Sequence, residues 1–183
     1  MGKFKALFLS LFMSAALLSF AGCSEEVESP LIGKWAYIHD AETTIINLKS
    51  NGKVVYNGNT YDYALDDEYI HLTGKNGTLD LRYRYDGSEF LLYQTTEYLY
   101  VGEGTPDSIL GTWQNTENRW SYEFTEDGTF NEDGYFPGYY TVDESARAVK
   151  LVYNDHFEDT VIYYTLSGNR LTIDYPWSMV AAE

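Results

Sequence analysis

The chain has one cysteine in 183 residues, Cys23, so no disulfide can form within it. Its hydrophobic core must hold the fold alone. Basic residues are scarce too: 12 Lys and Arg stand against 28 Asp and Glu, a net charge of −16. That balance argues against nucleic acid, which is bound through Lys and Arg meeting phosphates. It argues equally against attachment to anionic lipid through basic patches. Histidine occurs three times, at His39, His71 and His156, with no pair spaced to share one face of an element. No histidine-based metal centre is expected. Catalytic motifs are missing as well. There is no Gly-x-Ser-x-Gly elbow and no phosphate-cradling glycine loop between a strand and a helix. Among 28 acids, no pair is marked for glycoside hydrolysis.

Aromatic residues are abundant: 18 Tyr, 9 Phe and 4 Trp. Tyrosine suits strands and can be half buried with its hydroxyl wet. Apolar residues recur with period two. Leu79, Leu81, Tyr83 and Tyr85 alternate with Asp80, Arg82, Arg84 and Asp86. Trp120, Tyr122 and Phe124 alternate with Ser121 and Glu123, and Leu171, Ile173 and Tyr175 with Thr172 and Asp174. Such runs are strands with one face in a core and one in water. Asn51-Gly52, Asp86-Gly87, Asp127-Gly128 and Ser167-Gly168 separate them as hairpin turns. No segment after residue 30 carries a helical pattern. The expectation is an all-β protein, an antiparallel meander or barrel.

The layout occurs twice. Leu31-Ile32-Gly33-Lys34-Trp35 matches Ile109-Leu110-Gly111-Thr112-Trp113, and four further matches follow in order at offsets of 76 to 81 residues. A tandem duplication accounts for this, with six or seven strands in each half. The halves are 31–101 and 109–183, joined by the breaker-rich segment 102–108.

The N-terminus is a targeting segment. Lys3 and Lys5 precede fifteen uncharged residues, 6–20, too few for a comfortable bilayer span. Ala21 and Gly22 then lead into Cys23. This pattern resembles the lipobox of bacterial lipoproteins, with Phe20 where Leu is usual. The resemblance implies cleavage of residues 1–22, lipidation of Cys23, and a polar tether over 23–30. Without Lys3 and Lys5 the remaining chain holds ten basic residues against 28 acids. The implied address is the cell envelope, lipid-anchored to a bacterial membrane. The outer membrane is favoured because Ser24 is not the Asp that retains lipoproteins at the inner one. Ser24 and the acids after it also look like a surface-export signal.

A second resemblance rests on Gly33/Trp35 and Gly111/Trp113. Added to these are Phe124/Asp127/Gly128/Thr129, Gly138/Tyr140 and the closing Ser167/Gly168/Leu171/Thr172/Ile173. Together they are similar to the lipocalin-like (calycin-type) repeat domains of bacterial lipoproteins. A standard lipocalin has one Gly-x-Trp start and one eight-stranded barrel, whereas this chain has two starts. The resemblance implies structural roles for Gly33, Trp35, Gly111 and Trp113, the tryptophans plugging a barrel floor. It implies a binding module for a small apolar or glycan ligand or a protein partner. The alternative is an envelope-interaction protein with a filled core. No enzyme activity, cofactor or metal is expected. Acidic clusters such as Asp66-Asp67-Glu68 and Glu132-Asp133-Gly134 do not spell a calcium loop. Paired tyrosines, Tyr139/Tyr140 and Tyr163/Tyr164, put aromatics on both faces of their strands. No residue set singles out a ligand site.

Overall fold

Period-two patterning and short turns produce fourteen antiparallel strands, and no helix is formed among the described residues. A computed structural model describes residues 27–75, 77–154 and 157–182. The expected targeting segment 1–22, the expected lipidation site Cys23, and His156 lie outside them. The first seven strands are β1 (Gly33–Tyr37), β2 (Asp40–Leu48), β3 (Lys53–Tyr56), β4 (Asn59–Leu65), β5 (Tyr69–Gly74), β6 (Gly77–Tyr85) and β7 (Phe90–Tyr100). After a strandless stretch come β8 (Gly111–Gln114), β9 (Ser121–Phe124), β10 (Thr129–Glu132), β11 (Phe136–Asp143), β12 (Ala148–Tyr153), β13 (Thr160–Ser167) and β14 (Arg170–Ala181).

Each strand pairs with its neighbour in sequence, and β14 pairs with β1 to close a ring. One further pairing crosses that ring. β7 and β14, the two longest strands, run side by side from Arg170↔Leu99 to Met179↔Phe90. Their contact divides the ring into two closed circuits. The first is completed by the end of β14, where Met179, Val180 and Ala181 meet β1. The second is completed by the end of β7, where Leu99 and Tyr100 meet β8. Each circuit thus borrows its eighth strand from the other part of the chain.

The cores follow this exchange. One buried cluster joins Ile46, Leu48, Val54, Ile70, Leu72 and Phe90 with Met179 from the far end of the chain. The other joins Trp113, Phe124, Phe130, Leu151 and Ile173 with Tyr98 from β7. Closure protects the strand edges that an open sheet would expose.

Local geometry recurs between the circuits. The Trp35 indole N–H donates to the Leu31 carbonyl at 2.8 Å, and that of Trp113 donates to the Ile109 carbonyl at 2.7 Å. The Tyr63 hydroxyl donates to the Lys49 carbonyl and the Tyr140 hydroxyl to the Thr125 carbonyl. The two tryptophans differ in depth: Trp113 is 0 % exposed and Trp35 is half-buried.

The expected turns join consecutive antiparallel strands, but without a left-handed pair of residues. In Asn51-Gly52, Asp86-Gly87, Asp127-Gly128 and Ser167-Gly168 only the glycine has positive φ. Side chains hold these turns instead: Asp86 Oδ1 accepts the N–H groups of Ser88 and Glu89. Both residues are left-handed at Asn57-Gly58 (46° and 77°), a two-residue hairpin whose twist demands it, and at Asp133-Gly134 (55° and 74°) in the three-residue loop before β11. Leu79 also departs from its expected inward place. It is 42 % exposed, next to the β5–β6 hairpin and away from the buried Leu81.

Candidate functional site

Strand alternation sends Gln94, Thr96 and Tyr98 of β7 to one face of the shared ribbon, beside Ile173, Tyr175 and Trp177 of β14. On β9 the same rule turns Tyr122 inward with Phe124, and on β10 it turns Glu132 inward with Phe130. These side chains line a partly open cavity of about 210 Å³ beside the core of the second circuit. Trp120, 49 % exposed, stands at its edge.

Trp120 is held there by Asn115, the one buried polar residue among those described. Asn115 Nδ2 donates to the Glu97 carbonyl at 2.8 Å, and Oδ1 accepts the N–H groups of Glu117 and Asn118. The Asn115 backbone N–H in turn donates to the Trp120 carbonyl at 2.8 Å. The loop between β8 and β9 is therefore tied to β7, with its tryptophan over the opening.

Glu132 is the chemical centre. The Tyr153 hydroxyl donates to its Oε2 at 2.5 Å, and Tyr122 supplies a second hydrogen bond. Burial raises the Glu132 pKa above the usual carboxylate range, against the lowering effect of those two bonds. The ring of hydroxyls is shifted as well. Burial, with the neighbouring Glu132 charge, pushes Tyr98, Tyr122, Tyr153 and Tyr175 upward, so all four stay protonated donors. A second hollow, about 260 Å³ and lined by Phe136, Tyr153, Phe157 and Thr160, also contacts Glu132 and Tyr175. Glu132 and Tyr175 thus line both spaces.

The opposite face of the ribbon is packed. Arg82 of β6 lies 4.0 Å from the Tyr163 ring centroid and donates from Nη2 to the Tyr69 hydroxyl at 2.6 Å. Tyr93 meets Tyr163 edge to face at 5.6 Å. Arg82 thereby joins the first circuit to the second.

The residues singled out in the sequence fall elsewhere. Trp113 and Trp35 lie in and beside the two cores, and Gly33 and Gly111 precede them with φ of 141° and 108°. Of the paired tyrosines, Tyr140 and Tyr164 turn toward the core, while Tyr139 is exposed and Tyr163 meets Arg82. His71 bridges two acids, Asp66 at 2.9 Å and Asp80 at 2.7 Å. Among the described residues no group of three or more His, Cys, Asp or Glu could hold a metal ion. Sequence reasoning weighed Glu132 only in an acidic cluster and Trp120 and Tyr175 only as strand residues, and it did not bring them together with Trp177 as a site. The available signal was parity: Phe130 is a core residue, so Glu132 two places on shares its inward face.

Comparison of the chain with protein-family models, with curated proteins and with solved structures gave no match.

Proposed function

We propose that this protein is a small-ligand binding module, a lipocalin-like β-barrel lipoprotein held at the bacterial cell envelope by lipid on Cys23. The observation that carries the binding reading is the cavity beside the second core. It is walled by aromatic side chains together with Gln94, Thr96 and two hydrogen-bonded carboxylates, Glu132 and Asp133. A few placed polar groups in an otherwise apolar hollow are what ligand sites require. A purely structural barrel fills its interior with its own side chains. The recurring Trp and Tyr hydrogen bonds at Trp35/Trp113 and Tyr63/Tyr140 support an origin by tandem duplication.

Binding is tested by thermal denaturation against lipids, glycans and small aromatic compounds. A ligand at 100 times its Kd stabilises by about 2.7 kcal/mol, which appears as a rise in Tm. No shift with any compound would count against the reading. The anchor is tested separately by mass spectrometry of the mature protein, where Cys23 is expected to carry acyl chains. An unmodified thiol would remove it.

A further inference from the structure

The cavity contains acid without base. Glu132 and its neighbour Asp133 both line it. Asp133 Oδ1 is engaged by the Ser121 N–H at 2.6 Å, and Glu132 receives only tyrosine hydroxyls. Among the described residues neither acid forms an ion pair: Arg82 faces Glu68 and Asp174, Lys150 faces Asp159, and Arg170 faces Glu97. A carboxylate removed from water with no cation beside it is costly, and a positively charged ligand would offset that cost. A neutral sugar would not.

The walls agree with the charge. Trp120, Trp177, Tyr98 and Tyr175 line the same space, and tryptophan is the best aromatic partner for a cation. Size sets the rest. An apolar cavity of ~150 Å³ holds benzene, so about 210 Å³ has room for one ring and a short charged arm.

We infer that the cavity receives a small organic ammonium ion bearing an aromatic or alkyl group. The charged nitrogen lies against Glu132 and the apolar part lies between Trp120 and Trp177. This rests on the binding reading above and adds the ligand class to it.

The test is titration calorimetry on the full mature chain with four probes: 2-phenylethylammonium, benzyltrimethylammonium, 2-phenylethanol and methyl glucoside. At pH 7 the ammonium probes should bind at least ~10-fold more tightly than the alcohol. Glu132→Gln should weaken 2-phenylethylammonium by roughly 10- to 100-fold, the range of a lost charge-assisted hydrogen bond, weaken the quaternary probe, which has no N–H, by loss of charge attraction alone, and leave the alcohol unchanged. Trp120→Ala, at an exposed position, should weaken the ammonium probes by about 2- to 30-fold, and it serves if Glu132→Gln fails to fold. Affinity for the quaternary probe should rise from pH 4 to pH 7. The groups facing Glu132 are Tyr98, Tyr122, Tyr153, Tyr175, Asp133 and Glu158, and the tyrosines do not titrate in that interval. Equal affinity for alcohol and ammonium, or ammonium binding unaltered by both substitutions, overturns the inference. If only the alcohol or the glucoside binds, the ligand class is wrong and the binding reading stands. If no probe binds, the inference falls, and the thermal-denaturation screen decides the binding reading by itself.

Discussion

Gln94 of β7 lies directly opposite Tyr175 of β14, and the ribbon's exchange is centred on that pair. The two residues are 81 positions apart, the offset that also relates Asp86-Gly87 to Ser167-Gly168. Moving outward from the pair, Leu92 and Phe90 enter the first core as Ile173 and Leu171 enter the second. In the other direction Tyr98 is delivered to the second core and Met179 to the first. A chain ending after Pro176 therefore damages the part furthest from the cut in sequence. It loses Met179, the β1–β14 pairing and the closure of the first circuit. Deleting one buried methionine side chain alone costs ~2–5 kcal/mol. The truncated protein should lose cooperative unfolding of the first core, read by hydrogen exchange at Ile46 and Ile70. Retained protection there would contradict the exchange.

Gly138 is required for close approach rather than for a special backbone angle. A Cβ at this position would lie 2.3 Å from the Val152 carbonyl oxygen and 2.6 Å from the Phe130 ring. Gly138→Ala should lower stability by roughly 1–3 kcal/mol, as overpacking does, measured as a fall in the urea midpoint. Wild-type stability in the variant would mean that β11 and β12 are further apart than described.

The two tryptophans share one hydrogen bond but not one depth. Trp113→Ala should cost ~3–5 kcal/mol, the range for a fully buried large aromatic. Trp35→Ala should cost less, because its ring is partly solvated and already meets Phe90 at its edge. Chemical denaturation of the two variants gives the order, and a larger loss for Trp35 would refute it.

The Asp66–His71–Asp80 bridge sets a pH window. Backbone N–H groups of Glu68 and Tyr69, with His71, hold Asp66 down at about 2. Hydrogen bonds to Asp80 and Asp66 raise His71 above 6.5. A lowered acid stabilises above its unfolded value of 3.8 and ceases to as pH falls toward 2. A raised imidazole stabilises below 6.5 and ceases to as pH climbs through its folded value. Both contributions coexist between about pH 4 and 6.5. An NMR titration should place the His71 transition above 6.5, and Asp66→Asn should move it down. No movement would show the Asp66 contact to be idle.

Glu132 destabilises the unliganded protein at neutral pH. Its folded pKa is raised above 4.5 by burial. On raising the pH the unfolded chain releases this proton first, so stability falls as the folded group is driven to ionise. Glu132→Gln should have a higher denaturation midpoint than wild type at pH 7, and the gap should close toward pH 4. A variant less stable than wild type at pH 7 would show that the tyrosine hydrogen bonds outweigh burial.

Much of the architecture is legible in the sequence. Alternation such as Trp120/Tyr122/Phe124 reports which face of a strand is buried, and that suffices for an all-β antiparallel meander closing on itself. Alternation does not report which edges meet, so the β7–β14 pairing is hidden. Its only trace is length, 11 and 12 residues where most strands have four to nine. The hairpin signal was spread over several Asx-Gly and Ser-Gly pairs, and only backbone context separates Asp133-Gly134 from Asp127-Gly128. The candidate site escaped because its elements are distant in sequence. Tyr98, Glu132, Tyr153 and Tyr175 come from four strands whose adjacency depends on that hidden pairing.

The ribbon also sets an order of events for a chain made from its N-terminus. Residues 27–100 leave the ribosome without the strand that seals them, since Met179 to Ala181 are made only after the whole of β8 to β13. Until then β1 offers a bare edge to any passing strand. The portion synthesised first is the portion completed last.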